Sequence, residues 1–134
     1  MRNLKLFLTA LPIILVLDVA WIGGFAMEFY RSALGSLLAE NVVWPAAAAF
    51  YVFFVIALIV FVIEPALQSK SVKKALMLGA LFGFATYMTY DLTNLATTSG
   101  WSLLIAVVDM VWGTVLTAVA SVCTYLIATK VYKY

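Results

Sequence analysis

The chain has 134 residues, of which 66% are hydrophobic and 10% charged, and its formal net charge is +2. Soluble domains are about 45–50% apolar, so this composition and a mean hydropathy of +1.12 exclude an ordinary soluble protein and indicate a membrane protein. The small positive charge gives no reason to expect nucleic acid as a partner.

Four apolar stretches follow one another along the chain, at residues 4–26, 42–63, 72–96 and 102–129. Each has the length of about 20 residues that a helix needs to cross the hydrocarbon layer. None has the charged outer face that a helix of a soluble bundle would carry. The sequence therefore predicts an all-α membrane protein, with four transmembrane helices in a bundle that forms a single domain over residues 1–134.

The basic residues are unevenly distributed between the two predicted ends of the bundle. Arg31 is the only one of the eight that falls on the side of the loops after helices 1 and 3. An excess of Lys and Arg marks the cytoplasmic side of a membrane protein, so we expect both termini to be cytoplasmic. The residues on that side are Arg2, Lys5, Lys70, Lys73, Lys74, Lys130 and Lys133.

The segment "MEFYRSALGSLLAEN" between helices 1 and 2 has its apolar residues at helical spacing and polar residues on the other side. This pattern predicts a short amphipathic helix at the outer membrane interface. Pro65 is predicted to mark the end of helix 2. Ser71 and Ser102 are the expected N-caps of helices 3 and 4. The apolar residues are Phe29, Tyr30, Ala33, Leu34, Leu37 and Leu38.

Helices 1, 3 and 4 each contain one Asp: Asp18, Asp91 and Asp109. At 1.5 Å per residue, all three fall roughly 8–13 Å below the outer interface, in one layer. A charged residue at such depth costs about 2.5–3.5 kcal/mol, so the fold must turn these side chains away from lipid. With Arg31 the only cation near that side, some of the carboxyl groups must be protonated or bound to a cation.

Helix 2, whose one polar side chain is Tyr51, is expected to pack passively or face lipid.

The residues around these acids suggest a binding site. In helix 3, small residues at 75, 79 and 83 allow close contact with another helix, and Tyr87, Tyr90 and Asn94 supply polar groups near Asp91. The patterns "DVAW" and "DMVW" place a Trp three residues after Asp18 and Asp109, with Trp21 above the acidic layer and Trp112 below it. The candidate ligand-binding residues are Asp18, Asp91, Asp109, Trp21, Trp112, Tyr87, Tyr90 and Asn94.

Four sequence blocks resemble one known family. The blocks "YDLTNLAT", "VVDMVWGT", "LDVAW" and "FYRSALG" together extend over most of the chain. They resemble the signature of a bacterial family of small four-helix membrane proteins, catalogued as domain of unknown function 2177. The resemblance implies this fold and a multi-pass location in the bacterial plasma membrane, and it brings no catalytic residue to this chain.

The acidic layer is open to several functional interpretations. We expect first an outward-side pocket that binds or transports a proton or a small cationic solute, with aromatic walls and with Asn94 orienting Asp91. A homodimer would complete a transport pathway through so small a chain. The alternatives are an enzyme that modifies a lipid or isoprenoid, and an accessory subunit whose acids only hold the bundle together. No catalytic residue and no metal ligand is assigned, the cofactor is unknown, and the bilayer itself is the one certain partner.

Overall fold

A computed structural model describes residues 1–134, with the side chains of all residues except Phe25. It is all-helical, and four of its helices are long and apolar enough to cross a membrane. The four predicted helices are thus confirmed, and we call them spans 1 to 4 in chain order. Their bounds are Arg2–Gly24, Trp44–Gln68, Val72–Thr97 and Leu103–Lys130.

The short helix predicted between spans 1 and 2 is present at Met27–Leu34. It continues span 1 through a π-helical turn at Ile22–Ala26 and ends in a 3₁₀ turn at Gly35–Leu37. A second π-helical turn, at Ile59–Ile63, interrupts span 2 and is followed by the α-helical segment Glu64–Gln68. The prediction that span 2 ends at Pro65 is wrong, because this wider turn directly before Pro65 accommodates a residue without an N–H.

Two serines cap spans 3 and 4 as the sequence predicts. The Ser71 hydroxyl accepts a hydrogen bond of 3.1 Å from the Lys74 amide, and the Ser102 hydroxyl accepts one of 3.3 Å from the Ile105 amide. Each serine satisfies one of the backbone N–H groups that a helix start leaves without an intrahelical partner.

The half of the bundle that holds both termini and the Ser69–Ser71 turn is closely packed, and we call it the basic half. Its core joins spans 1, 2 and 4. Arg2 forms an ion pair with Glu64, and the hydroxyls of Thr9 and Tyr132 lie 2.8 Å apart. These contacts connect the start of span 1 to the ends of spans 2 and 4. The buried core residues here include Leu6, Ala10, Ile14, Val55, Leu58, Ile63, Ala120 and Ala128.

Spans 3 and 4 approach each other closely along a stripe of small residues. A Cβ atom added at Gly83 would lie 2.3 Å from the carbonyl oxygen of Gly113, and one at Gly79 would lie 2.5 Å from the Ser121 hydroxyl oxygen. The close helix contact expected from Ala75, Gly79 and Gly83 is therefore confirmed, and it is made within the chain.

The opposite half of the bundle, which we call the open half, is less tightly packed. Span 2 meets span 3 mainly through its π-helical turn Ile59–Ile63, in the basic half. The segment Trp44–Leu58 makes few contacts with span 3, so the two spans are apart in the open half. This separation leaves room for a cavity in the half where the three Asp residues lie.

Candidate functional site

A cavity of about 620 Å³ occupies the open half, between all four spans and the short helix Met27–Leu34. All three intramembrane Asp residues line it, whereas no described side chain in its lining is basic. Arg31, the nearest basic residue in the sequence, is exposed and is not part of the lining. The lining residues are Asp18, Trp21, Ile22, Met27, Tyr30, Leu34, Leu38, Phe50, Phe54, Thr86, Tyr87, Tyr90, Asp91, Trp101, Ile105, Asp109 and Trp112.

Asp18 is held by donors from two other spans. The Tyr51 hydroxyl of span 2 donates to one carboxyl oxygen at 2.5 Å, and the Trp112 indole N–H of span 4 donates to the other at 3.2 Å. Span 2 therefore takes part in the site, and the expectation that it packs passively or faces lipid is wrong. An apolar helix can face lipid on most sides and still direct one hydroxyl inward, because a buried carboxylate needs donors.

Trp21 and Trp112 stack on each other, with ring centroids 4.6 Å apart and planes 8° from parallel. The sequence predicted them on opposite sides of the acidic layer, each beside its own Asp. In the structure Trp112 instead donates to Asp18, and Trp21 donates at 3.2 Å to the Tyr30 hydroxyl. Indole side chains are long enough to meet across the layer, and stacking buries their faces while each N–H finds an acceptor.

Tyr30 connects the short helix to span 4. Its hydroxyl donates to the Asp109 carboxylate at 2.8 Å while it accepts from Trp21. Burial raises the pKa of the Tyr30 hydroxyl, the Trp21 N–H opposes this shift, and the Asp109 carboxylate adds to it. Tyr30 therefore stays protonated at neutral pH and keeps its role as a donor.

The π-helical turn explains how Trp21 and Tyr30 can both face the cavity. In a regular α-helix of about 3.6 residues per turn, positions nine apart point to opposite sides. The π-helical turn at Ile22–Ala26, which includes Gly23 and Gly24, lies between them and has more residues per turn. It therefore changes the direction in which the following side chains point, and both Trp21 and Tyr30 line the cavity.

Asp91 differs from the other two acids because no tyrosine or tryptophan donates a hydrogen bond to it. It has no exposed surface, and neither of its carboxyl oxygens has a hydrogen-bond partner among the described residues. The Asp109 carboxyl lies close enough for a hydrogen bond between the two carboxyl groups, which requires a proton on one of them. An unpaired charge in such a place is costly, so Asp91 must carry a proton or be paired with a cation.

Seven of the eight candidate residues line the cavity, and Asn94 does not. Its side-chain amide donates to the Tyr90 carbonyl at 2.9 Å and its oxygen accepts from Thr98 at 3.2 Å. The prediction that Asn94 orients Asp91 is therefore wrong. A short amide side chain readily bonds to its own helix backbone four residues earlier. Tyr87 lines the cavity without a hydrogen bond to Asp91, and its ring fills the space left by Gly113.

Sequence reasoning missed most of the apolar lining and two of the hydroxyl donors. Tyr30 was assigned only to the apolar face of the short helix, and Tyr51 was considered passive. Trp101 was not considered a site residue, yet it packs edge to face on Tyr90 with centroids 5.5 Å apart. A signal was present for the tyrosines, because in lipid a phenol hydroxyl needs a partner and the three acids are obvious acceptors.

Removing the Tyr51 hydroxyl should show how much its bond to Asp18 contributes to stability. We expect Tyr51→Phe to lower the free energy of unfolding by about 1–2 kcal/mol, because the substitution leaves a buried carboxylate with one donor fewer. Thermal unfolding followed by circular dichroism in one detergent measures this. Tyr134→Phe, which keeps its ring at an exposed position, is the matched control. Equal melting temperatures for the two variants would show that the Tyr51 bond has no stabilising effect.

The arrangement defines the protein as a multi-pass, all-helical membrane protein with an acidic cavity inside the bundle. The chain belongs to the family described as "Predicted membrane protein (DUF2177)", whose profile matches residues 3–126. The match confirms the resemblance drawn from "YDLTNLAT" and "VVDMVWGT". Curated proteins and solved structures give no match.

Proposed function

We propose that this protein binds a small organic cation in its cavity, in competition with protons. The observation that supports this most strongly is the charge of the lining, where three Asp residues from three spans meet no basic side chain among the described residues. Asp91 is buried and has no tyrosine or tryptophan donor, and a bound cation would supply the positive charge that the described lining lacks. A membrane carboxyl group in this position is typical of a ligand or proton site.

The size and lining of the cavity favour an organic cation over a bare metal ion. A volume of about 620 Å³ falls within the range of roughly 300–1,000 Å³ that is usual for small-molecule sites. The described residues contain no group of three His, Cys, Asp or Glu side chains arranged to hold a metal. The three carboxyl groups line one cavity without forming such a group, which suits a ligand with a diffuse charge.

The lining residues take different parts in this binding. Asp18 and Asp109 are fixed in the lining by their hydrogen bonds to Tyr51 and Tyr30. Asp91 exchanges its proton for the cation. The faces of Tyr87 and Tyr90 in the lining add cation–π attraction, which is strongest where water is excluded.

The same lining disfavours the two alternative functions. A lipid or isoprenoid phosphate would face three acidic side chains with no basic group to neutralise it. An accessory role, in which the acids only hold the helices together, suits Asp18, which accepts from two donors of other spans, better than Asp91, to which no tyrosine or tryptophan donates. We place the protein in the bacterial plasma membrane with both termini cytoplasmic, because seven of its eight basic residues precede span 1, join spans 2 and 3 or follow span 4.

Tryptophan fluorescence can report the proposed binding, because three of the four Trp residues line the cavity: Trp21, Trp101 and Trp112. Trp44 is exposed. We expect tetramethylammonium or tetraethylammonium to change the emission in a saturable way. Because binding releases the Asp91 proton, the affinity should rise with pH, by up to about tenfold per pH unit for one proton released.

Ionic strength is kept constant with sodium chloride in every titration, so that unspecific salt effects are equal. A saturable response that does not depend on pH would contradict proton competition. The absence of any saturable response with both cations would contradict the proposed function itself.

A further inference from the structure

An apolar groove on the outside of the bundle opens beside the cavity. It runs between spans 2 and 3 in the open half and is lined by Ala46, Ala49 and Phe53 of span 2 and Phe82 of span 3, among others. Phe53 is 70% exposed in a span that is long and apolar enough to cross a membrane, so this groove faces the hydrocarbon of the bilayer.

The groove and the cavity share three lining residues: Phe50, Phe54 and Thr86. The two spaces therefore lie on either side of the same side chains. The groove exists because the segment Trp44–Leu58 has few contacts with span 3. The small side chains of Ala46 and Ala49 also leave space that larger side chains would fill. A molecule with its head in the cavity would reach the groove by displacing the side chains of Phe50 and Phe54, which lie between the two spaces.

We propose that the ligand is a cationic amphiphile, with a quaternary or protonated amine in the cavity and a single alkyl chain in the groove between spans 2 and 3. This inference rests on the proposed cation binding and adds the ligand class and its route of entry. The acids surround only the cavity, whereas the groove is apolar apart from Thr86. An acidic cavity beside an apolar groove matches a molecule that is positively charged at one end and apolar at the other. Its chain stays in an apolar setting throughout, so no apolar surface has to enter water during binding.

The cavity also limits the ligand to a head without phosphate. The described lining of the cavity offers carboxyl groups and no basic group, so the head of an anionic phospholipid would be repelled. We therefore take as probes tetramethylammonium, which has a head alone, and decyltrimethylammonium, which adds one alkyl chain to a similar head.

The test compares the two probes on two variants of neighbouring alanines, in nanodiscs of uncharged phosphatidylcholine. Ala49→Phe fills the groove, and Ala48→Phe places the same side chain at an exposed position of span 2 that does not line it. Affinities are measured by tryptophan fluorescence, with decyltrimethylammonium kept below its micellar concentration. The measured quantity is the ratio of the decyltrimethylammonium affinity to the tetramethylammonium affinity.

We expect this ratio to fall about tenfold in Ala49→Phe, since displacing even two methylene groups from an apolar site has an effect of that order. In Ala48→Phe the ratio should equal that of the wild type, because partitioning of the long chain into the bilayer is the same for every variant. An equal ratio in all three proteins would overturn the groove inference while leaving cation binding intact. Failure of tetramethylammonium to bind the wild type would instead overturn the proposed function.

Discussion

Asp91→Asn is expected to weaken tetramethylammonium binding by about 100-fold, because losing one member of a buried charge pair costs on the order of 2–5 kcal/mol. Asn has nearly the same shape as Asp, so the cavity keeps its form and loses only the charge. The polar neighbour of Asp91 is the Asp109 carboxyl of span 4, and the amide of Asn can still donate a hydrogen bond to it, so the contact between the two spans is kept. The free energy of unfolding should stay within about 0.5 kcal/mol of the wild-type value.

The loss of affinity is measured by tryptophan fluorescence at constant pH and ionic strength. The pH dependence of binding should also disappear in Asp91→Asn, since the residue that exchanges a proton is gone. Glu40→Gln removes the same charge from an exposed residue in the loop before span 2 and serves as the control. If Asp91→Asn binds as tightly as Glu40→Gln, Asp91 is not the group that pairs with the cation.

Gly83→Ala should be strongly destabilising, by about 3 kcal/mol. The added methyl group would lie 2.3 Å from the carbonyl oxygen of Gly113 and 2.7 Å from the Thr117 Cβ. A backbone carbonyl in a helix cannot turn aside as a flexible side chain can, so spans 3 and 4 must separate. Their separation would also move Tyr87 and Asp91, which continue the same face of span 3.

Gly23→Ala is the matched control for this substitution, because no described atom would lie within 4 Å of its added Cβ. Both variants make the same chemical change in a helical glycine of the membrane part of the chain. Thermal unfolding by circular dichroism in the same detergent should give a clearly lower melting temperature for Gly83→Ala alone. Similar melting temperatures would mean that the contact between spans 3 and 4 adjusts without cost.

The gathering of Asp18, Asp91 and Asp109 could be predicted from the sequence for two physical reasons. Helix rise is constant, so counting residues from the loops gives the depth of each side chain. The cost of a carboxyl group in lipid then requires all three to turn inward. The depth of a side chain in the membrane and its polarity can both be read from the sequence, because neither depends on how the helices pack.

The partners of these acids could not be predicted in the same way. Span 2 is apolar on all sides, so periodicity does not indicate which face carries the site, and the part played by Tyr51 depends on how the spans are rotated in the bundle. The bond between Tyr30 and Asp109 depends on a π-helical turn, which changes the direction of the side chains that follow it. Both are consequences of tertiary packing.

Two differences between the spacing in the sequence and the observed polar contacts have a common origin. Asn94 was assigned to Asp91 by its spacing of three residues, but its amide bonds to the Tyr90 carbonyl of its own helix. The sequence places Trp112 on the same helix face as Asp109, three residues away, but its N–H donates to Asp18 of another span. Spacing along one helix shows which groups share a face and does not show which acceptor a donor will choose.

The most direct measurement for the proposed function is equilibrium binding of radiolabelled tetramethylammonium to two purified double variants of equal net charge. One carries Asp91→Asn and Asp109→Asn in the cavity; the other carries Glu28→Gln and Glu40→Gln, both at exposed positions. We predict that the Glu variant binds like the wild type and that the Asp variant shows no saturable binding. Equal binding by both variants would contradict the proposal that the acidic cavity is the cation site.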